Sequence, residues 1–423
     1  MNILVIGSGG REHAICLKFS QSNNISKIYA LPGNAGISQI AKCITDIDTK
    51  DHNQIINFCQ ENKIDLVFVG PEQPLVDGII DDLQTANIKA FGPSKFASQL
   101  EGSKDFMKEI AAKNGVPTAK YEAFTEVKPA IKYAKSLGFP CVIKADGLAA
   151  GKGVIIVNDK KESESAITEM LENSLFGEAG QKIIIEEFLE GPEISYFAIC
   201  DKDSYKYIGS ASDHKKVGEG NTGPNTGGMG TFTPSPYISD KLEEQINQEV
   251  IEPTLQAFKD LENPFCGILF AGIILTKDGP KLLEFNIRFG DPETQVILPK
   301  IKTDFAKLIA YAAENKLSEL EVEIEEEQKY ICVVVCSNGY PGEYEKNVVI
   351  ENLEAAEEVD NTYLLHAGTK EADGKIYSNG GRVLNVIAFD ESFKDARKRA
   401  YEAIRRIDWK GGFCRNDIGQ VNG

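Results

Sequence analysis

Four short strand-like runs, each followed by a turn rich in glycine or proline, constrain the first 100 residues more than any other feature. The runs are Ile3–Ile6, Lys27–Ala30, Asp65–Val69 and Lys89–Phe91, and the turns read GSGGRE, LPGNAG, GPEQPL and GPS. Helical stretches lie between them, and Ile3–Ile6 is apolar throughout, as a strand covered on both faces must be. The pattern predicts a parallel α/β sheet with ligand-binding loops at the carboxyl ends of its strands.

The rest of the chain predicts two further domains. We expect an amphipathic helix at 104–113 capped by Ser103, and a second helix that begins at Pro129. Strand-like segments follow at 141–145, 153–157, 182–188 and 195–200, and then 218–236 shows little periodicity. A helix at 240–260 and strands at 267–275 and 281–288 complete the middle region.

An acidic run, SELEVEIEEEQ at 318–328, has the composition of a solvated linker. Strands at 330–336, 363–366 and 383–389 and a basic amphipathic helix at 391–407 follow it. We therefore expect an N-terminal parallel α/β domain at 1–103, a central domain at 104–325 and a small C-terminal α+β domain at 326–423.

The charge balance excludes some partners. Lys and Arg number 46 and Asp and Glu 64, so the net charge is −18. Such a chain repels nucleic acid and anionic membranes, although a few local cations can still form an anion site. No apolar run approaches the roughly 20 residues of a membrane helix, and the N-terminus lacks the basic residues of a signal peptide.

Nine cysteines without a Cys-x-x-Cys pair indicate buried thiols in a reducing compartment, which predicts a cytoplasmic protein. A zinc site is not expected, because the four histidines do not pair with cysteine at ligand spacing.

The turn Gly7-Ser-Gly9-Gly10-Arg11-Glu12 follows the first strand and resembles a dinucleotide-binding fingerprint, but Glu12 replaces the third glycine. A helix that begins near Gly10 would bind phosphate with its free N–H groups. This motif leaves an NAD- or FAD-dependent oxidoreductase open as an alternative.

A second glycine-rich loop lies between two strands in KADGLAAGKGV at 144–154. Lys144 ends the first strand, and Gly151, Lys152 and Gly153 could bring backbone N–H groups and a positive charge to phosphate oxygens. The spacing differs from that of a P-loop, so it predicts another type of phosphate lid, with a plain hairpin turn as the alternative. Farther along, Glu186, Glu187 and Glu193 near the end of an apolar strand could bind adenine and ribose.

The strongest motif is KLLEFNIRFGDPE at 281–293. Strict strand alternation would place Leu282, Glu284, Asn286 and Arg288 on one face, where polar groups are costly to bury without partners. Glu284 and Asn286 offer the hard oxygen ligands that suit Mg²⁺, and Arg288 suits a transferring phosphoryl group. A solvated edge strand is the alternative. In the glycine-rich segment 212–230, Asp213, His214 and Lys215 precede a loop that could wrap a polar substrate.

Together these segments resemble the ATP-grasp superfamily, and within it the glycinamide ribonucleotide synthetase family. The matching motifs run in order along nearly the whole chain and include VIGSGGREHA (5–14), PGNAG (32–36), LEGSK (100–104), KADGLAAGKGV (144–154), IEEFLEGPE (185–193), TGPNTGGMG (222–230), EFNIRFGDPET (284–294) and NGGRV (379–383). The resemblance implies a pre-ATP-grasp domain, an ATP-grasp body with a mobile lid at about 120–190, and a small closing domain. It also implies that ATP, glycine and 5-phosphoribosylamine give glycinamide ribonucleotide, ADP and phosphate through glycyl phosphate.

Residue roles are also implied by the resemblance. Arg288 and Lys152 would be catalytic, and Glu284 and Asn286 would bind Mg²⁺ or Mn²⁺. ATP would be bound by Lys104, Lys144, Gly151, Gly153, Glu186, Glu187, Phe188 and Glu193. The other substrates would be held by Gly9, Gly10, Asn34, Asp213, Lys215, Asn225, Gly227 and Gly290. The protein would act on small molecules as a monomer.

Three alternatives stay open at this point. One is another ATP-grasp ligase, such as a purine-pathway carboxylase, and the second is a nucleotide-binding sensor without turnover. The third is the dinucleotide-dependent oxidoreductase. In addition, GILFAGIIL at 267–275 contains no acidic residue, which leaves the ligands of a second metal undetermined.

Overall fold

The computed structural model describes residues 1–148, 153–172 and 180–420. Its N-terminal part is a five-stranded parallel sheet with the order β3-β2-β1-β4-β5, which confirms the predicted parallel α/β architecture. The strands are β1 (Asn2–Gly7), β2 (Lys27–Pro32), β3 (Lys42–Cys43), β4 (Leu66–Val69) and β5 (Ala90–Phe91). The helices are α1 (Gly10–Ser20), α2 (His52–Glu61), α3 (Glu72–Asp77), α4 (Ile79–Thr85) and α5 (Gln99–Gly102).

Strand β1 is buried on both faces because it separates two hydrophobic cores. Ile3 and Val5 face the core that contains Phe19 of α1, whereas Leu4 and Ile6 face the other core. Both cores continue into the central region. The central position of β1 therefore fixes where its carboxyl end, and the turn after it, meet the rest of the molecule.

A separate four-stranded antiparallel sheet forms the region at which the sequence predicts a lid, with its own core. Helix α6 (Lys104–Lys113) precedes it, and Ser103 caps α6 as predicted by accepting a hydrogen bond from the Phe106 N–H. The sheet order is β6-β9-β7-β8. Its elements are β6 (Tyr121–Phe124), α7 (Val127–Leu137), β7 (Cys141–Ala145), β8 (Val154–Val157), α8 (Lys160–Leu171) and β9 (Ile183–Glu187).

The central region and the C-terminal strands share one nine-stranded antiparallel sheet. The central elements are β10 (Glu193–Cys200), β11 (Tyr205–Asp213), β12 (Lys216–Gly218), β13 (Thr222–Asn225), β14 (Gly230–Thr233), α9 (Asp240–Ile246), α10 (Glu252–Asp260), β15 (Gly267–Thr276), β16 (Gly279–Asn286), α11 (Thr294–Ile297) and α12 (Phe305–Ala313). The C-terminal elements are β17 (Lys329–Ser337), β18 (Val349–Ile350), α13 (Leu353–Glu357), β19 (Thr362–His366), β20 (Thr369–Ala372), β21 (Lys375–Ser378), β22 (Arg382–Asp390), α14 (Phe393–Arg406) and β23 (Gly412–Phe413).

The order of the large sheet is β16-β15-β10-β11-β14-β17-β22-β19, and β23 also pairs with β17. The predicted boundary at residue 326 therefore separates strands of one sheet, and the domain limits stay a prediction. Two small sheets, β12-β13 and β18-β21-β20, complete the set in the described residues. None of the helices given above has both the length and the apolar composition that crossing a membrane requires.

One structural difference changes the interpretation of the strongest motif. Strand β16 has a β-bulge, because Gly272 pairs with Glu284 while Ile273 pairs with Leu282, which leaves Leu283 without a partner. The predicted alternation is therefore wrong at this point, and Leu282 lies in the core with Phe285 instead of sharing a face with Glu284. The placement of Arg288 on the strand is also wrong, since β16 ends at Asn286.

Other predictions differ from the structure locally. The segment 218–236 contains β13 and β14, because its residues pair with Lys216 and with β17. Pro129 is the third residue of α7 and not the first. Part of the acidic run packs back on the body, where Ile324 forms a bridge with Ile301, so it is not only a solvated linker.

We expect that a chain ending at residue 328 does not fold, because β17 lies inside the shared sheet. Its removal exposes the edge of β14 and part of the core around Ile331 and Val333. The measurement is soluble yield and the thermal transition followed by circular dichroism. A soluble fragment with a cooperative transition would show that residues 1–328 fold without the C-terminal strands.

Candidate functional site

A cavity of about 290 Å³ opens where the carboxyl ends of β1 and β2 meet the C-terminal region, and we call it the interdomain cavity. It is lined by Ser8, Gly9, Gly33, Asn34, Asp291, Tyr340, Ala367, Gly368, Thr369, Asn379 and Arg382. Two of the predicted substrate residues, Gly9 and Asn34, are therefore in its wall. Six separate segments of the chain, from residue 8 to residue 382, form this site.

Asn34 ties the turn after β2 to its neighbours. Its side-chain amide donates to the carbonyls of Ser8 and His366 at 2.8 and 2.9 Å. Its side-chain oxygen accepts from the N–H groups of Gly36 and Ile37, both at 2.9 Å. All of these bonds are within the protein, so Asn34 shapes the cavity wall by joining both domains.

Glu12 already occupies the start of α1, where free N–H groups were predicted to bind phosphate. Its carboxylate accepts from the Gly9 N–H at 2.6 Å and pairs with Arg11 Nε at 2.6 Å. A Cβ atom at Gly7 or at Gly70 would lie within 2.5 Å of the Glu12 side chain. These glycines therefore provide room for an internal anion, and the departure from the dinucleotide fingerprint has a structural purpose.

Gly10 lies behind the cavity and not in its wall. A Cβ atom there would lie 2.3 Å from Asn385 Nδ2 and 2.8 Å from Gln295 Nε2, so the position requires glycine for packing. Gly290 is similar, because a Cβ atom would lie 2.3 Å from Glu293 Oε2.

Arg382 is the main cavity residue that the sequence analysis missed. Its guanidinium donates to the carbonyls of Gly227 and Asp291, each at 2.6 Å, and pairs with Asp291 Oδ2 at 2.9 Å. The Tyr340 hydroxyl accepts from the Gly227 N–H at 3.2 Å. The available signal was an arginine directly after the paired glycines of NGGRV. Gly227 thus lies at the cavity edge, while Asn225 pairs with Lys216 in the β12-β13 hairpin.

The carboxylate of Glu284 lies among cations. Burial opposes its ionisation, but Lys215, Lys144 and Lys104 outweigh that effect and hold the pKa of Glu284 below its usual value. Among the described residues, no side chain forms a hydrogen bond or ion pair with the Glu284 carboxylate or the Asn286 amide. Glu284 and Asn286 therefore form an ionised carboxylate and an amide, two residues apart, with free oxygen atoms.

Arg288 is held by two carboxylates from the N-terminal part of the chain. Its guanidinium lies 2.8 Å from Glu101 Oε1 and 3.2 Å from Glu72 Oε2. The other oxygen of Glu101 accepts from the Ile287 N–H at 2.9 Å. Burial lowers the pKa of Arg288, but Glu101 and Glu72 raise it by more, so the group stays charged. Glu72 and Glu101 had not been singled out, and no spacing rule would relate them to Arg288.

Glu186 binds two ammonium groups inside the protein. Lys144 Nζ lies 3.0 Å and Lys108 Nζ 3.2 Å from the same oxygen, Glu186 Oε2. Burial lowers the pKa of Lys108 to about 8, against the opposing effect of Glu186. Lys104 donates to the Gly147 carbonyl at 3.2 Å, and burial lowers its pKa.

The remaining predicted ATP residues lie nearby or outside the described part. Glu187 accepts from the Lys120 N–H at 3.0 Å, and Phe188 is 36% exposed. Gly153 is buried and its carbonyl accepts from the Ala145 N–H at 2.8 Å. Gly151 and Lys152 lie outside the described residues.

Three acidic side chains, those of Glu193, Asp213 and Glu293, lie near Lys215. Lys215 Nζ contacts Glu193 Oε2 at 2.8 Å, and this carboxylate raises the pKa of Lys215. Burial raises the pKa of Asp213, and the nearby carboxylate of Glu293 adds to that shift. Burial likewise raises the pKa of Glu293, which accepts from Ser195 Oγ at 3.1 Å. Burial and mutual repulsion therefore favour a proton on the Asp213–Glu293 pair.

Across the described residues, no group of three or more His, Cys, Asp or Glu side chains converges on a metal position. With only two protein oxygen ligands, Glu284 and Asn286 suit a hard cation that keeps several waters and also binds phosphate oxygens. The assignment of Glu284 and Asn286 as metal ligands stays a prediction.

Three family models match the chain in order. They describe the N domain of phosphoribosylglycinamide synthetase at residues 1–101, its ATP-grasp (A) domain at 102–294 and its C domain at 330–421. A phosphoribosylamine–glycine ligase from Caldanaerobacter subterraneus is 47% identical over 418 residues, which cover 99% of each chain. One from Mesorhizobium japonicum is 47% identical over 419 residues, covering 99% of this chain and 98% of that one.

Solved structures agree. A crystal structure of phosphoribosylamine–glycine ligase from Thermotoga maritima superposes with a TM-score of 0.85 at 29% identity, covering 99% of this chain and 100% of that chain. A biotin carboxylase–β,γ-ATP complex from Campylobacter jejuni shares the fold, with a TM-score of 0.74 at 16% identity over 97% of this chain and 92% of that chain. The chain therefore belongs to the phosphoribosylglycinamide synthetase family.

Proposed function

We propose that this protein joins glycine to 5-phosphoribosylamine with ATP, giving glycinamide ribonucleotide, ADP and phosphate, the second step of de novo purine synthesis. The observation that carries the proposal is the 47% identity, over 99% of the chain, to a relative named for this ligase activity. The Glu284 site and the interdomain cavity supply the polar groups that this chemistry needs. The protein is then an ATP-grasp carboxylate–amine ligase.

ATP would lie between the β6-β9-β7-β8 sheet and β16. Lys104 and Lys144 would contact its phosphates, which is supported by their effect on the ionisation of Glu284. The loop with Gly151, Lys152 and Gly153 would cover the phosphates. Adenine would meet the main chain of Glu186 and Phe188 close to Glu187, and Glu193 would bind the ribose.

Glu284 and Asn286 would hold Mg²⁺ or Mn²⁺, because their oxygen atoms have no other partner among the described residues. When bound, the metal would neutralise and orient phosphate oxygens. An ionised carboxylate is necessary for this role, and the surrounding lysines keep Glu284 ionised.

In the first chemical step, a carboxylate oxygen of glycine attacks the γ-phosphorus, and ADP leaves with the electrons of the broken P–O bond. Arg288 would stabilise the charge that develops on the transferring group. The Asp213 and Glu293 carboxylates would bind the ammonium group of glycine, which relieves their mutual repulsion. Lys215 would neutralise negative charge on the other side of this pocket.

In the second step, the amine nitrogen of phosphoribosylamine attacks the glycyl carbonyl carbon, phosphate leaves, and the nitrogen loses a proton. The interdomain cavity would hold phosphoribosylamine, with Gly9 and Asn34 in its wall, Gly10 packed behind it, and Gly227 and Asn225 in or near the loop at its edge. Gly290 supports the adjacent turn. Arg382 presents a planar guanidinium of the kind that binds phosphate in two-point contacts.

Glycyl phosphate hydrolyses unless water is excluded. Closure of the glycine-rich loop over the phosphates would provide that exclusion, and positioning would supply most of the rate enhancement. No nucleophilic side chain is required.

The function is tested by following ADP release while ATP, glycine, phosphoribosylamine and Mg²⁺ are omitted in turn. We expect turnover only when all four are present. Bicarbonate-dependent turnover without glycine would instead indicate a carboxylase, and ATP binding with no turnover in the complete mixture would indicate a nucleotide sensor.

We expect Arg288→Ala to lower kcat by about 100-fold or more while ATP binding changes little, because its charge acts on the transferring group. Steady-state kinetics and ATP titration measure the two effects. Arg399→Ala is the matched control, since Arg399 lies on α14, pairs with Asp390 at the end of β22 and has no role in the proposed reaction. Near-normal kcat in Arg288→Ala would remove this residue from the chemical step.

For Arg382→Lys we expect a roughly 10-fold higher KM for phosphoribosylamine and little change in the KM for ATP, because lysine cannot reproduce the planar donor fork. Arg405→Lys, at an exposed position of α14, is the control. Equal changes in both KM values would show that Arg382 supports the whole site and not the cavity alone.

Three further expectations remain predictions. They are the domain limits 1–103, 104–325 and 326–423, a monomeric state and a cytoplasmic location. Sedimentation equilibrium would test the second.

A further inference from the structure

Lys108 is a fully buried lysine that the reaction described above does not use. It lies on α6 with 0% exposure, and its ammonium contacts Glu186 Oε2 at 3.2 Å and Thr118 Oγ1 at 2.7 Å. It also lies 5.5 Å from the centre of the Tyr121 ring. Lysine is almost never fully buried without a partner, because desolvating the ammonium is costly.

The contacts of Lys108 hold it in place. The Thr118 hydroxyl, which accepts from Lys108, donates in turn to the Leu282 carbonyl of β16 at 2.7 Å. Thr118 and Leu282 also form a parallel backbone bridge. Lys108 therefore joins α6, the segment before β6 and the strand that carries Glu284.

Two lysine ammonium groups contact the single carboxylate of Glu186. Lys144 and Lys108 both contact Oε2, so two positive charges and one negative charge are buried together. The other oxygen, Oε1, is buried and has no hydrogen-bond partner among the described residues. If one of the two lysines turns away, the other still forms an ion pair with the Glu186 carboxylate.

Lys144 is held less firmly beside Glu186 than Lys108 is. Besides Glu186, Lys144 Nζ has one weak contact, with the Leu283 carbonyl at 3.4 Å. Lys108 is fixed by Thr118 and is farther from solvent. If Lys144 were the sole counter-ion of Glu186, its turn toward a phosphate would leave a buried carboxylate uncompensated, which is strongly unfavourable.

We propose that Lys108 is a positioning residue that stays beside Glu186 as its counter-ion and so frees Lys144 to bind the nucleotide phosphates. This inference rests on the proposed function, because it takes Lys144 as a phosphate ligand. Lys108 itself touches neither substrate nor reacting atoms. Its effect belongs to nucleotide binding and not to the acyl steps.

The test replaces Lys108 by methionine, which keeps most of the length of the unbranched side chain and removes its charge. We expect Lys108→Met to weaken binding of ADP with Mg²⁺, measured by calorimetry, and to raise the KM for ATP, each by roughly 10-fold. The KM for glycine and kcat should change by less than about 3-fold. Lys113→Met is the matched control, because Lys113 lies on the same helix and is exposed.

A double-mutant cycle separates charge compensation from packing. In a Glu186→Gln background the anion is absent, so adding Lys108→Met should cause no further loss of ADP affinity. An undiminished loss in that background would overturn the proposal, because packing does not depend on the charge of residue 186. An unchanged ADP affinity in Lys108→Met would overturn it as well.

Two controls make every outcome decisive. Lys108→Gln, which keeps a hydrogen-bond donor near Thr118 but has no charge, replaces Lys108→Met if the latter does not fold. If the unaltered protein releases no ADP with all substrates, the proposed function fails. If the unaltered protein is active but the Lys108 variants bind ADP with normal affinity, the inference about Lys108 fails and the proposed function stands.

Discussion

The pairing of β17 with β14 is the constraint on which the rest of the site depends. β17 also pairs with β22, so the sheet of the central region continues into the C-terminal strands without a break. That continuity places Arg382, the first residue of β22, against the carbonyls of Gly227 and Asp291. The interdomain cavity forms where residues after strands of this sheet meet the turns after β1 and β2 of the parallel sheet.

The distribution of charge near β16 is the second constraint on the site. The chain has a net charge of −18, yet two substrates of the proposed reaction, ATP and phosphoribosylamine, are anions. The protein resolves this conflict locally, because most of the cations near β16 lie beside a carboxylate of another element. Arg288 meets Glu101 and Glu72, Lys215 meets Glu193, and Lys144 meets Glu186. These charges are thereby paired in the free protein, which offsets part of the cost of placing them in one region.

The sequence predicts the local elements well and the contacts between distant segments poorly. The apolar run at Ile3–Ile6 and the capping of α6 by Ser103 depend on neighbouring residues, and both agree with the structure. Alternation along β16 failed because a bulge at Leu283 depends on pairing with β15, which residue order does not specify. Arg382, Glu72 and Glu101 were missed for the same reason, since each acts on a group about 90 or more positions away. The roles of Gly151 and Lys152 rest on the sequence alone, because both lie outside the described residues.

Paired cations also determine how the site can respond to substrates. An anionic ligand that approaches Arg288, Lys144 or Lys215 must compete with a carboxylate already in place, so binding exchanges one ion pair for another. The exchange is favourable only if the displaced carboxylate keeps some compensation. Glu101 retains its bond from the Ile287 N–H, and Glu186 retains Lys108. Glu193 is half exposed and can turn to water or to a ribose hydroxyl. We therefore expect the partners that remain on these carboxylates to affect nucleotide and substrate affinity along with the cations themselves.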